Sequence, residues 1–237
     1  DDLQSFTPLR FLPPKLMNWQ GRAVVTDPDV FAVGGVNELL DRDMGEAAVM
    51  GRHRSGKDDK QYQVATSVLL MDCARLRHWD VEKEFDQLFR MEKDYKEWMV
   101  LAYEDPANIG YLEDCWNDFD HLDANTRLLH NTKRRTQPWK TGLPVDYTPA
   151  DKFKDKPLLG ALNRLRARLF GEYGLLGHYR QHPDSAQEAF FFGLLKECLE
   201  SGEISEELVR QEISRNHVRH DAFEVLERTP SMKARAA

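Results

Sequence analysis

The sequence predicts an α/β protein, a sheet with helices layered against it, followed by a helical C-terminal extension. Three observations lead there. Ala23-Val24-Val25-Thr26 is a short β-branched run that stops at Asp27-Pro28-Asp29, and such a run suits a strand buried on both faces, as in parallel sheets. Ser67-Val68-Leu69-Leu70-Met71-Asp72 repeats the pattern and leads through Ala74–Arg77 into a helix-like stretch over Val81–Arg90; strand, turn and helix in that order mark a layered fold. From Leu158 onward the pattern is helical only. The expected organisation is a core over residues 1–150 and a helical region over 151–237.

The remaining elements follow from local chemistry. Pro8, Pro13 and Pro14 make the first twenty residues an irregular lead-in, and Val36–Leu40 suits one or two helical turns. Ala47–Met50 fits a short strand, and Gly51–Gln61, polar and without an aliphatic side chain, fits a loop. Lys96–Tyr103 and Ile109–Phe119 both read as helix, with a break at Asp105-Pro106, and Arg127-Leu128-Leu129 reads as a strand ending at His130. Ser185 with Glu188 fits a capping box ahead of an apolar helix that stops at Gly202, and Ser205–Arg215 fits a second helix.

Bulk properties exclude several classes. A chain of 237 residues with 41% hydrophobic residues can bury a core, and a net charge of -7 argues against a nucleic-acid surface. No apolar run reaches the roughly 20 residues a membrane span needs. Three scattered cysteines (Cys73, Cys115, Cys198) give no disulfide framework and make the cytoplasm the expected compartment.

Asp27 and Asp29 lead the candidates for chemistry. Two carboxylates at a strand end can converge on one Mg2+ or Mn2+, cations that take oxygen ligands and bridge to substrate phosphates; the same tripeptide also suits a plain turn. His130 ends a strand and can reach a shared metal through one imidazole nitrogen, and it can equally be an incidental residue of a solvated loop. Lys133, Arg134, Arg135 and Lys140 follow it and can contact diphosphate oxygens. Glu113 and Asp114 can orient an acceptor hydroxyl or face positive charge at an anomeric carbon, and an exposed acidic face explains them as well. Tyr111, Trp116 and Trp139 can stack on a sugar or anchor a core. The other histidines show no ligand spacing, and His217 and His220 read as surface residues without a carboxylate partner.

These segments together resemble a known family. Gln20–Phe31 with Val36–Leu40 resembles the DxD segment of the family 8-like retaining glycosyltransferases of GT-A fold, a mixed sheet flanked by helices. Ser67–Asp72 is similar to that family's Asn-Ser-Gly-Val-x-Leu-Ile-Asp strand, Leu112–Asn117 to its Asp-Gln-Asp-x-x-Asn, and Leu129–Lys140 to its closing His-x-x-Gly-x-x-Lys-Pro-Trp. Here Leu112 and Glu113 replace the first Asp and the Gln, Ala65 or Thr66 the Asn, and Gln137 the Lys. The resemblance implies a divalent ion, commonly Mn2+, on Asp27, Asp29 and His130, with Glu113 and Asp114 at the catalytic positions. It implies diphosphate contacts from Lys133, Arg134, Trp139 and Lys140. Such folds begin with a base-binding strand and helices, and only Asp1–Arg22 precedes the DxD strand, so a missing N-terminal portion is expected.

The function expected is transfer of a sugar from a nucleoside diphosphate sugar, a UDP-sugar first, to an unknown acceptor. Mn2+ or Mg2+ would assist, with no nucleic-acid partner, no membrane span and homo-oligomerisation open. Two rivals stand beside it: a metal-dependent phosphohydrolase or nucleotidyltransferase, and a non-catalytic interaction protein on a degenerate transferase core.

Overall fold

A computed structural model describes residues 7–54, 64–147, 165, 169 and 177–231 of the chain. They belong to two compact units, residues 2–132 and 133–237. The first contains α1 (Pro13–Leu16), β1 (Arg22–Thr26), β2 (Val30–Ala32), α2 (Asn37–Leu40), β3 (Val49–His53), β4 (Val64–Asp72), α3 (Val81–Phe89), α4 (Tyr95–Met99), β5 (Ile109–Leu112), β6 (Asp118–Phe119) and β7 (Leu128–His130). A short 3-10 turn over Thr7–Phe11 precedes them.

The fold is mixed α/β. One sheet runs β1-β4-β3-β5 and a smaller one runs β2-β7-β6. Side-chain alternation along the strands divides the apolar residues between two cores, because successive residues point to opposite faces. Leu69 and Met71 of β4 and Val49 of β3 enter a cluster with Phe11, Leu76, Trp79, Val81 and Trp98, so α3 and α4 cover that face. Val68, Leu70 and Met50 enter the opposite cluster, with Leu39 of α2, Leu112, Trp116 and Leu128. Burying both faces of β4 explains why its sequence is continuously apolar from Val68 to Met71. Asp80 and Asp94 begin α3 and α4 by accepting main-chain N–H groups of Lys83, and of Lys96 and Glu97.

Several expectations need correction. β1 is a half-buried edge strand, antiparallel to β4, and only β3–β5 in that sheet is parallel; apolar runs do not reveal strand direction. The stretch 109–119 is not a helix. It is β5, a 3-10 turn over Asp114–Asn117, and β6. Ile109 and Leu112 there are held by pairing of β5 with β3, a non-local interaction that helical periodicity cannot register. Strand β3 continues to His53, so Gly51–His53 are not loop, whereas residues 55–63 lie outside those described.

A bulge between Gly51 and Arg52 shifts the register sharply, from Gly51 opposite Leu69 to Arg52 opposite Ala65. Residues 66–68 of β4 thereby have no partner in β3, and the Ser67 carbonyl accepts the N–H of Asp27 at the end of β1. Gly51 makes the close approach possible: a Cβ there would lie 2.5 Å from Val64 Cγ1 and 3.2 Å from the Val68 carbonyl oxygen.

The second unit contains α5 (Ser185–Ser201), α6 (Glu206–Ser214) and α7 (Ala222–Arg228). The cap of α5 is Asp184, which accepts the Ala186 N–H, so Ser185 is the first helical residue and not the cap. Gly202 ends α5 at φ +78°, the left-handed conformation expected there, and Ser205 caps α6. Phe192, Ala222, Val225 and Leu226 join α5 to α7. The helical stretch expected from Leu158 lies mostly outside the described residues.

Candidate metal centre

Asp27 extends the β1–β4 pairing by one hydrogen bond, its N–H to the Ser67 carbonyl at 2.8 Å. The Val30 N–H then reaches back to the Asp27 carbonyl at 3.1 Å, so Asp27-Pro28-Asp29 is a turn. That turn also feeds β2, whose Val30 stands opposite His130 in β7. The Asn131 N–H to the Asp29 carbonyl, 3.2 Å, closes the corner. Turn and ligand cluster are therefore one structure. Each of Asp27, Asp29 and His130 offers a ligand atom within 4.8 Å of the other two, a set that can hold a metal ion.

The burial of these groups is uneven. Asp27 and His130 are each 7% exposed, while Asp29 is half-buried and lies with Oδ1 3.3 Å from His130 Nε2. Burial pushes the Asp27 carboxyl above the ordinary aspartate range, Arg10 opposes that shift, and the neighbouring Asp29 charge reinforces it. Arg10, from the 3-10 turn before α1, grips both Asp27 oxygens, Nε on Oδ1 at 2.7 Å and Nη2 on Oδ2. Its Nη1 also donates to Thr66 Oγ1 at 3.0 Å, and that hydroxyl donates to the Met99 carbonyl.

His130 is oriented from behind. Asn117, fully buried, donates its amide N–H to Ser67 Oγ at 2.9 Å and presents Oδ1 to His130 Nδ1 at 2.9 Å. With the Asn117 oxygen as acceptor, Nδ1 is the ring nitrogen assigned a proton, and Nε2 is the one turned toward Asp29. Such an outer partner is what a metal-binding imidazole ordinarily has. Two carboxylates and one imidazole fit a divalent cation that accepts oxygen and nitrogen donors, and each Asp27 oxygen keeps a lone pair beyond the guanidinium.

The other sequence candidates make contacts of their own. Glu113 is exposed and ion-paired with Arg42, whose hydrogen bond holds its carboxyl below the usual range. Asp114 accepts from Arg52 Nη2 at 2.8 Å. Trp116 is 5% exposed, a core residue unable to stack on a sugar, whereas Tyr111 is exposed and meets His53 edge-on at 5.0 Å. In the second unit the Lys140 ammonium is bound to Asp146 and lies 5.6 Å from the Tyr179 ring. Arg134 lies 5.3 Å over Tyr147. Trp139 packs on Phe191 at 5.0 Å, and its carbonyl accepts the Arg219 N–H at 2.7 Å. Lys133 is exposed. His217 does have a carboxylate partner, Glu212, at 2.6 Å.

Another possible ligand group, Asp118, His121 and Asp123, is largely exposed. Its carboxylates are employed in folding their own loop: Asp123 accepts the Asn125 and Thr126 N–H groups, and Asp118 accepts the Thr126 hydroxyl. Sequence reasoning missed Arg10, Ser67 and Asn117 as site residues. Asn117 had a signal, its place at the end of the segment Leu112–Asn117. Arg10 had none short of the fold.

The described residues thus define a mixed α/β protein with a two-carboxylate, one-imidazole cluster at the end of an edge strand. No family model and no curated protein matches the chain. Among solved structures it is similar to the galactosyltransferase LgtC in complex with donor and acceptor sugar analogues, at 17% identity over 56% of this chain and 60% of that one, TM-score 0.44. It is also similar to the apo-form glycosyltransferase GlyE of Streptococcus pneumoniae TIGR4, at 16% identity over 59% of this chain and 40% of that one, TM-score 0.46. The chain thus spans 60% of the length of the first and 40% of the second. Among the described residues no helix is long and apolar enough to cross a membrane.

Proposed function

We propose that Asp27, Asp29 and His130 hold a divalent cation, Mn2+ or Mg2+, and that the chain belongs to a glycosyltransferase of GT-A type using a nucleoside diphosphate sugar, a UDP-sugar first. One observation carries the reading: the turn after β1 and the end of β7 bring two carboxylates and an Asn-oriented imidazole within 4.8 Å. A bound dication would supply Lewis-acid stabilisation to a departing diphosphate. Asp29, half-buried, would be the ligand open toward substrate, while Asp27 is fixed by Arg10 and His130 by Asn117. Rigid ligands of this kind reduce the reorganisation needed when charge develops on the leaving group. Retention of anomeric configuration, the roles of Glu113 and Asp114, and diphosphate contacts from Lys133, Arg134, Trp139 and Lys140 rest on the sequence resemblance alone.

The test is to titrate Mn2+ into the full chain with a panel of nucleoside diphosphate sugars and measure release of the nucleoside diphosphate. Activity that requires the metal, disappears with a chelator and is lost in a folded Asp29→Ala variant is expected. Release that is indifferent to metal would refute the reading. A chain that binds Mn2+ yet no nucleoside diphosphate would favour the non-catalytic alternative, for which the pairing of Glu113 with Arg42 and of Asp114 with Arg52 is the supporting observation.

A further inference from the structure

Arg52 is the first residue past the β3 bulge, and its side chain is only 17% exposed. It does not reach the three candidate ligands, yet its guanidinium engages both ends of the segment that supports His130. Nη1 donates to the Asn117 carbonyl at 2.7 Å, and Nη2 donates to Asp114 Oδ2 at 2.8 Å. Its Cζ lies 4.3 Å from the centre of the Phe119 ring. Asn117 in turn presents Oδ1 to His130 Nδ1, and Phe119 packs against the His130 ring with centroids 5.5 Å apart at 71°. Phe119 also stands directly opposite His130 in the β6–β7 pairing.

We propose that Arg52 is a positioning residue for His130, acting on the imidazole through Asn117 on one side and Phe119 on the other, and that Asp114 serves by anchoring Arg52. The inference rests on the metal reading given above. The physical reason is the nature of the segment. Residues 114–117 form a single 3-10 turn and β6 is two residues long, so neither has regular hydrogen bonding enough to define its own position. A planar fork holding a carboxylate and a carbonyl at fixed angles supplies that definition, and the same plane stacks on the ring that confines His130. Lysine cannot do all three, because its ammonium is a point charge without a face. The bulge places the residue: with 66–68 turned away from β3, Arg52 lies opposite Ala65 and its side chain runs toward Asn117.

The experiment uses the full chain and two readouts. Mn2+ binding is measured by electron paramagnetic resonance of the free ion for the wild type, Arg52→Met, Arg52→Lys and Asp114→Asn. Asp29→Ala serves as the reference for a removed ligand. Arg75→Met serves as the structural control: Arg75 likewise ties down main chain, at the Gly45 and Ala47 carbonyls, without touching the segment 114–119. Losing a partner behind a metal ligand typically weakens binding by about 10–100-fold. Arg52→Met is expected to weaken Mn2+ by about tenfold or more and Arg52→Lys by nearly as much, while Arg75→Met leaves it unchanged at a comparable loss of Tm. Asp114→Asn should fall between wild type and Arg52→Met.

The second readout needs no metal. Nitrogen-15 shifts of the His130 ring, recorded where the imidazole is neutral, should report the Nδ1–H tautomer in the wild type and a mixture in Arg52→Met. Wild-type Mn2+ affinity in Arg52→Met would overturn the proposal. If the wild type itself fails to bind Mn2+, the metal reading falls, and an unchanged tautomer in Arg52→Met would then overturn the positioning role as well. Should Arg52→Met not fold, Arg52→Lys and Asp114→Asn carry both readouts with the same criteria.

Discussion

Removing the guanidinium from Arg10 isolates the charge that Asp27 buries. The side chains of Arg10 and Asp27 are 12% and 8% exposed, so solvent screens the pair little. Arg10→Met keeps most of the aliphatic volume but deletes two charge-assisted bonds to Asp27 and one hydrogen bond to Thr66. Breaking one partner of a buried pair costs about 3–5 kcal/mol, because the remaining charge is uncompensated. Protonation of Asp27, whose pKa burial already raises, limits the penalty toward the lower end, about 3 kcal/mol. For a unit of this size that corresponds to a fall of about 10 °C in Tm. The assay is thermal unfolding by circular dichroism in metal-free buffer at pH 7, in a double-mutant cycle with Asp27→Asn. With the carboxylate charge gone, Arg10→Met should cost about 1 kcal/mol or less, giving a coupling near 2 kcal/mol. A coupling below about 0.5 kcal/mol would refute the claim that charge compensation is what Arg10 supplies. Saturating Mn2+ should narrow the gap between Arg10→Met and wild type, since the cation then neutralises the same carboxylate.

Other consequences are as direct. Burial alone would raise the Glu104 carboxyl, but hydrogen bonds from Asn108, Trp79 and His78 outweigh it and hold the pKa below the ordinary 4.5. A depressed carboxyl stabilises the fold above its unfolded pKa, so this contribution should disappear as pH falls below about 4.5; urea unfolding from pH 6 to pH 3 should show a shallower acid slope in Glu104→Gln. Gly51→Ala should destabilise the first unit by about 1–3 kcal/mol through overpacking, read from the urea midpoint, with Val64→Ala in the same chain recovering part of the loss. Arg219, 6% exposed and bound to Asp221 and to Glu188 at 2.7 Å, should cost about 3–5 kcal/mol as Arg219→Met, with hydrogen-exchange protection lost first in α5 and α7.

How much of this was legible in the sequence depends on the range of the interactions involved. Local chemistry announces itself: α2, α3 and α6 lie where the helical patterns put them, and β4 is where the apolar run Val68–Met71 requires burial on both faces. Pairing does not announce itself. Ile109–Leu112 has apolar residues three apart, which helix and strand both allow, and only the presence of β3 alongside decides for strand. The cap of α5 was missed for a smaller reason: Asp184 and Ser185 are both good caps, and the backbone leaves the helix at Asp184, with φ -100° and ψ 107°.

At the candidate site, the three residues that cluster were legible as candidates and the residues that support them were not. Two aspartates flanking a proline after a β-branched run, and a histidine ending another run, are patterns of adjacent residues. Arg10, the adjacent pair Thr66 and Ser67, and Asn117 come from three separate segments and meet only in the fold, where β4 departs from β3 at the bulge. That departure accounts for the fully apolar run beginning only at Val68: Thr66 and Ser67 are buried polar residues, 4% and 8% exposed, each satisfied by a site residue. Burying two hydroxyls and an amide is costly unless every one is hydrogen-bonded, and here each has a partner. Strand propensity reads none of these partnerships, because each joins residues from separate segments of the chain.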